Sequence, residues 1–252
     1  NAHMNTPDER RKHELTTIVV DNYVSGHEEE DNISEKVELV TGTKSMPRDM
    51  FLKAWMYSWM INNFHNFGWT QAITRFLRRY KNFTYLEMYD HLLEQIMKDD
   101  GKVGELYMKA YEQMKIYLET GSDASFDSGW SGHTLMWQAQ ENFHRYPVDI
   151  RNFVGKVFSL EYTELDSELY HAIMMFQEDF VTNEDTNYPY QSLHGFNFWD
   201  FINAVDEFRE IETIYEIDIS EPVKGNEYFN RFYYRRRQGW GKSVLSKNNQ
   251  IT

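Results

Sequence analysis

Residues 47–67 read PRDMFLKAWMYSWMINNFHNF. Phe51, Leu52, Ala54, Trp55, Met56, Tyr57, Trp59, Met60, Ile61 and Phe64 fall on nearly every side of a helix drawn through this stretch. A helix that is apolar all round is buried rather than amphipathic. Local signals frame it. Ser45 is placed as an N-cap, Pro47 sits in the first turn where its missing N–H costs nothing, and Asp49 suits the positive end of the helix dipole. Gly68 supplies the stop. The stretch therefore predicts the central helix of a helical core. Tyr57, Ser58 and the Asn62-Asn63 pair interrupt it, and charge follows soon after, which argues against a membrane span.

Further helices are predicted on the C-terminal side. Residues 70–79 place Ile73, Phe76 and Leu77 on one face. Thr84 followed by Glu87 is a capping-box pattern, opening a helix with Tyr85, Met88, Tyr89, Leu92, Leu93 and Ile96 at helical spacing. Gly101 breaks that pattern. Residues 103–119 carry another stripe through Leu106, Tyr107, Ala110, Tyr111, Met114, Tyr117 and Leu118. After a Ser/Gly/Asp-rich loop at 121–132, short helices are expected at 135–143 and from Pro147 to Phe158. Asp166 caps one more, with Leu169, Tyr170, Ile173, Met174, Phe176 and Phe180 inward.

Strand signals lie near the ends. Residues 36–41 and 213–219 alternate apolar with polar, and 243–245 is a further candidate. Their pairing is not set by the sequence. Residues 6–24 suit either a short helix or an extended arm. The expected organisation is a cloning remnant at 1–3, an N-terminal arm or linker with a short strand at 4–44, a helical core at 45–181, and an irregular segment at 182–252. That last segment holds short strands, an aromatic helix and a basic Arg/Gly-rich tail. The fold class expected is mainly α, a multi-helix bundle around the buried central helix, with a few short β-strands toward the two ends.

Composition bounds the chemistry. The 252 residues include 16% aromatics and carry a formal net charge of -14. That charge disfavours nucleic acid and anionic membrane as partners. There is no cysteine, so disulfides, thiolate metal sites, a cysteine nucleophile and a cysteine-ligated cluster are excluded within this chain. No signal peptide is visible, and a cytoplasmic location is expected.

Two sets of candidate site residues stand out. His65 ends the apolar run. With Asn62, Asn66, Gln71 and Arg75 it makes a group of polar side chains that could face a ligand or substrate, although a histidine satisfied by backbone is the plainer reading. The second set is Arg235, Arg236 and Arg237 with Gly239, Trp240, Gly241 and Lys242, the one strongly basic point in an acidic chain. Arginines there could take an anion bidentately or dock on another domain. Asp90-His91 with Glu94, and His171 with Asp179, have helical spacing but match no zinc-site pattern, and a solvated face is the reading for both. No catalytic or metal-ligating set is assigned.

The run from Thr41 to Ile96, TGTKSMPRDMFLKAWMYSWMINNFHNFGWTQAITRFLRRYKNFTYLEMYDHLLEQI, resembles the region that follows the catalytic core in radical S-adenosylmethionine proteins bearing an N-terminal cobalamin-binding-type domain. The shared features are the Met-Pro-Arg-Asp helix start, the aromatic helix ending in an Asn/His-rich segment, the Arg-Phe-Leu run and the Tyr-x-x-x-Tyr pair Tyr85 and Tyr89. The ending YYRRRQGWGK, 233–242, is similar to that family's C-terminal end. The resemblance implies an accessory C-terminal domain of such an enzyme, inactive alone, that closes over the substrate pocket. S-adenosylmethionine, a [4Fe–4S] cluster and, as a further option, cobalamin are then implied for the full-length protein, with none held by this chain. The partner is the missing N-terminal catalytic domains, and the substrate is unknown. The family's three closely spaced cysteines have no counterpart here. Two rival readings stand beside this one: a stand-alone helical adaptor that binds a protein or peptide, and a cysteine-free enzyme built around His65.

Overall fold

The computed structural model describes residues 6–21, 36–66, 68–121, 148–179, 190–219 and 243–248. Within these the chain is mainly helical with a few short strands. It divides into two compact units. One comprises 1–59 and 105–136, the other 60–104 and 137–252. The helix expected at 135–143, the one at 228–234 and the basic tail at 235–242 lie outside the described residues.

In the first unit, α1 (Pro7–Lys12) starts at Thr6, whose hydroxyl accepts from the Glu9 N–H at 3.4 Å. It is followed by β1 (Thr16–Asp21), so the N-terminal arm is helix first and strand second. β1 pairs antiparallel with β2 (Lys36–Gly42), Ile18 opposite Leu39 and Val20 opposite Val37. Arg10 pairs with Glu38, which also accepts from the Thr17 hydroxyl at 2.6 Å. α5 (Lys102–Thr120) turns Tyr107, Ala110, Met114 and Leu118 inward. It ends at Gly121, with φ +68°. A Cβ there would lie 2.4 Å from the Val19 carbonyl oxygen, so only glycine fits this close approach.

The stretch 47–67 is not one helix buried on all sides. α2 runs over Arg48–Ile61, and a π-helical turn, Asn62–Asn66, continues it. Leu52, Met56, Trp59 and Met60 are buried, a stripe at spacings of four and three. Phe51, Trp55 and Tyr57 are only half-buried, while Ala54 and Met50 are exposed. The apolar composition is right, but its described neighbours cover one stripe only. The Trp59 ring meets Tyr107 of α5 edge-on at 6.1 Å. Ser45 does not act as the N-cap. Its hydroxyl lies 3.2 Å from that of Thr43, in a turn closed by backbone bonds between Thr43 and Met46, and Pro47 accepts the first helical bond from Phe51.

In the second unit, Gly68 ends the π turn at φ +89°, donating to the His65 carbonyl. α3 (Gln71–Tyr80) and α4 (Tyr85–Lys98) follow. The capping box forms as expected. Thr84 N–H donates to Glu87 at 2.8 Å, and the Glu87 N–H donates to the Thr84 hydroxyl at 3.2 Å. α6 (Val148–Val157) and the short α7 (Leu160–Thr163) precede α8 (Ser167–Asp179), where the Asp166 carboxylate accepts from the Leu169 N–H at 2.9 Å. The start of α3 has an unusual cap. Thr70 turns its hydroxyl to the Phe64 carbonyl, and the free N–H groups of Ala72 and Ile73 donate instead to the fully buried Gln177 Oε1 at 2.8 and 3.2 Å. Gln177 Nε2 donates to the Gly68 carbonyl at 2.5 Å. One side chain thus satisfies groups on both sides of the α3 start.

The C-terminal portion is more regular than expected. β3 (Tyr190–Phe196), in the segment expected to be irregular, pairs antiparallel with β4 (Glu210–Ile219), which pairs antiparallel with β5 (Ser243–Asn248). The short α9 (Phe198–Ile202) lies between β3 and β4. Asn197 holds the return, accepting from the Arg209 N–H and donating to the Glu207 carbonyl, each at 2.8 Å. Phe76, Phe176 and Phe198 are fully buried there, Phe176 stacking on Phe198 at 5.2 Å. No helix among the described residues is long and apolar enough to cross a membrane.

Candidate functional site

The π turn places His65 one turn before α3, and α3 and α4 supply what surrounds it. π turns inside helices often mark functional positions. His65 Nδ1 lies 2.5 Å from the Tyr89 hydroxyl and 3.5 Å from that of Thr74. Its ring meets Tyr85 and Tyr89 edge-on at 5.4 and 5.8 Å, and those two tyrosines stack at 6.1 Å. Tyr85 and Tyr89 are four apart on α4, one turn, which is why both reach the same imidazole.

Burial lowers the His65 pKa to about 4, and the positive charge of Arg75 pushes it the same way. The imidazole is therefore neutral at neutral pH, a hydrogen-bonding group and not a cation. Arg75 is itself half-buried. Burial lowers its pKa, the Tyr85 phenol opposes that, and Arg79 adds to it. Its Nη2 donates to Asn203 Oδ1 at 2.8 Å and to the Ile202 carbonyl at 3.3 Å. The Arg78 guanidinium lies over the Tyr85 ring, 4.7 Å from its centre.

Of the residues singled out from sequence, His65 and Arg75 are brought together. The side chains of Asn62 and Asn66 lie outside the described part of the structure, although both residues belong to the π turn. Gln71 is half-buried in the first turn of α3, and its carbonyl is 3.3 Å from the Thr74 hydroxyl. Arg235, Arg236, Arg237, Gly239, Trp240, Gly241 and Lys242 are outside the described residues. Sequence reading missed Thr74, Asn203 and the cation–π role of Arg78. The tyrosine pair was visible by spacing, but nothing local ties it to a histidine 24 positions earlier.

A second polar group occurs where a solvated face was expected. Asp179 is mostly buried. Its Oδ2 is 2.7 Å from His194 Nε2, and its Oδ1 accepts from the Tyr190 hydroxyl at 2.9 Å. The Ser192 hydroxyl is 3.0 Å from the same Nε2. A nucleophile relay needs serine and aspartate on opposite ring nitrogens. Here both meet Nε2, so the group fastens β3 to the end of α8 and activates nothing. His171 is exposed. His91 also serves packing, with Nε2 3.1 Å from the Val157 carbonyl and its ring stacked on Tyr162 at 4.0 Å.

No group of three or more His, Asp or Glu side chains able to hold a metal ion occurs among the described residues. With no cysteine in the chain, its residues do not fit an iron–sulfur cluster.

No protein-family model matches the chain. Two curated proteins do. The cobalamin-dependent radical SAM methyltransferase TokK of Streptomyces tokunonensis is 22% identical over 205 residues, covering 73% of this chain and 30% of TokK. The 2-(S-pantetheinyl)-carbapenam-3-carboxylate methyltransferase of Streptantibioticus cattleyicolor is 22% identical with the same coverage. The chain thus spans just under a third of the length of these relatives.

Proposed function

We propose that this chain is the C-terminal accessory domain of a cobalamin-dependent radical S-adenosylmethionine methyltransferase, inactive alone. The observation that carries this reading is the coverage. Most of the chain aligns with the two methyltransferases, yet it accounts for only 30% of each. The missing cysteines fit the same division of labour. The cluster and its S-adenosylmethionine would be bound elsewhere in the full protein, supplying the radical chemistry there. This chain's part would be to shape the substrate pocket around the His65 group and to keep water from a reactive intermediate.

Exposed apolar side chains support the reading. Val19, Val37, Leu39, Val40, Met46 and Met50 are each more than a third exposed. Soluble monomers keep large apolar surfaces covered, and the remainder of a longer polypeptide would cover these. The name of the second relative specifies a carbapenam carboxylate, so a small carboxylate-bearing substrate is the class to try first.

The test is to read the source gene upstream of Met4. The expected result is an open frame continuing through several hundred residues, the length of further domains, with three closely spaced cysteines. An in-frame stop before Met4, with no such gene adjacent, would remove the catalytic partner and leave the stand-alone adaptor. If the frame is open, the whole protein should methylate a carbapenam carboxylate after anaerobic cluster reconstitution.

A further inference from the structure

The arginines of α3 break the charge pattern of the molecule. In a chain of net charge -14, Arg10, Arg11, Arg151 and Arg209 each sit within ion-pair distance of a carboxylate. Arg48 has no such partner among the described residues and lies 3.4 Å from the Thr41 hydroxyl instead; Arg75, Arg78 and Arg79 have none there either. These last three are spaced three and four apart on one helix, where like charges repel. The positive charge of Arg79 disfavours that of Arg75.

Hydrogen bonds and rings absorb part of that cost. Arg79 lies over the Phe201 ring at 5.0 Å and Arg78 over Tyr85 at 4.7 Å. Arg75 uses Nη2 on two neutral oxygens, Asn203 Oδ1 and the Ile202 carbonyl. Neutral oxygens do not cancel a charge, and a half-buried guanidinium without a counter-charge is costly. The Arg78 guanidinium lies over the Tyr85 ring, the neutral His65 ring meets that tyrosine edge-on, and the Tyr85 phenol acts electrostatically on Arg75. Two guanidiniums beside a neutral hydrogen-bonding imidazole and a phenol make a cradle for a planar anion.

We propose that Arg75 and Arg78 bind the carboxylate of a small substrate, with Tyr85 and His65 forming the wall against which it lies. The carboxylate supplies a counter-charge that no described residue provides. This rests on the accessory-domain reading for the source of the carboxylate, while the site itself belongs to this chain and is testable on it.

The experiment is an NMR titration of the arginine Nε–Hε signals of the 252-residue chain, with acetate as probe at constant ionic strength set by chloride. Parallel titrations use inorganic phosphate. The expected result is a saturating shift confined to Arg75 and Arg78. Arg78→Gln, on an exposed side chain, leaves the fold intact and weakens acetate by about tenfold, the loss of one charge-assisted contact. Arg75→Gln abolishes saturation. Shifts that grow linearly, shifts shared by Arg10 and Arg151, saturation by phosphate but not acetate, or an Arg78→Gln variant that binds unchanged would each overturn the proposal. An upstream frame without a catalytic core, combined with saturable acetate binding, would sink the accessory-domain reading and leave the carboxylate site standing.

Discussion

Replacing Gln177 by methionine keeps the length and bulk of the side chain and removes both of its hydrogen-bonding atoms. In the native protein those atoms satisfy three backbone groups at the α3 start, the N–H groups of Ala72 and Ile73 and the carbonyl of Gly68. All the residues involved are buried, Gln177 fully so. Water cannot readily take over, and each orphaned group costs about 1–3 kcal/mol. The costs are not additive because both N–H groups share one oxygen, so a total of about 3–5 kcal/mol is expected. That is a large part of a typical total stability of about 5–15 kcal/mol. Urea unfolding followed by far-ultraviolet circular dichroism should show a lowered midpoint with an unchanged slope. Hydrogen exchange at the Ala72 and Ile73 amides should speed up more than exchange in α4. A loss below about 1 kcal/mol, with those two amides still protected, would refute the assignment of Gln177 as the cap of α3.

Other expectations follow from the same contacts. The His65 pKa is lowered from 6.5 to about 4, so between those values the unfolded chain binds the proton and the folded one does not. Stability should therefore rise with pH across that window, by at most about 3 kcal/mol. His65→Gln should flatten the slope of unfolding free energy there, and an unchanged slope would assign it to other groups. Gly121→Ala forces a Cβ to 2.4 Å from the Val19 carbonyl at a positive φ. It should cost more than the ~1 kcal/mol of an ordinary left-handed glycine, and a neutral melting temperature would contradict the close approach. Thr84→Ala removes one half of the capping box and should cost about 1 kcal/mol, readable as a thermal shift that Thr84→Ser does not show.

Sequence alone determined what depends on neighbours along the chain. The Thr84–Glu87 box, the Gly68 stop, the Asp166 cap and the stripes of α3, α4 and α5 were all legible, because caps and helical spacing act within a few residues. The absence of cysteine settled what this chain cannot hold. The resemblance pointed to the protein class to which the two relatives belong. Of the candidate site, His65 and Arg75 were legible as polar residues beside an apolar helix, which is all that local pattern can show.

Tertiary structure decided the rest. Whether Trp55 and Met50 are buried depends on what packs against α2, and composition could not say that only one stripe is covered. β3 hides behind a polar, glycine-containing sequence and exists because β4 pairs with it. The Gln177 cap joins groups more than 100 positions apart, and Asp179 meets His194 only where α8 and β3 come together. The carboxylate cradle has the same origin. Arg75 and Arg78 share a helix face by spacing, but the seat of Arg78 over Tyr85, the placing of His65 against that ring and the lack of a neighbouring carboxylate among the described residues are properties of packing. Long-range contacts depend on which faces meet, and no local sequence rule encodes that.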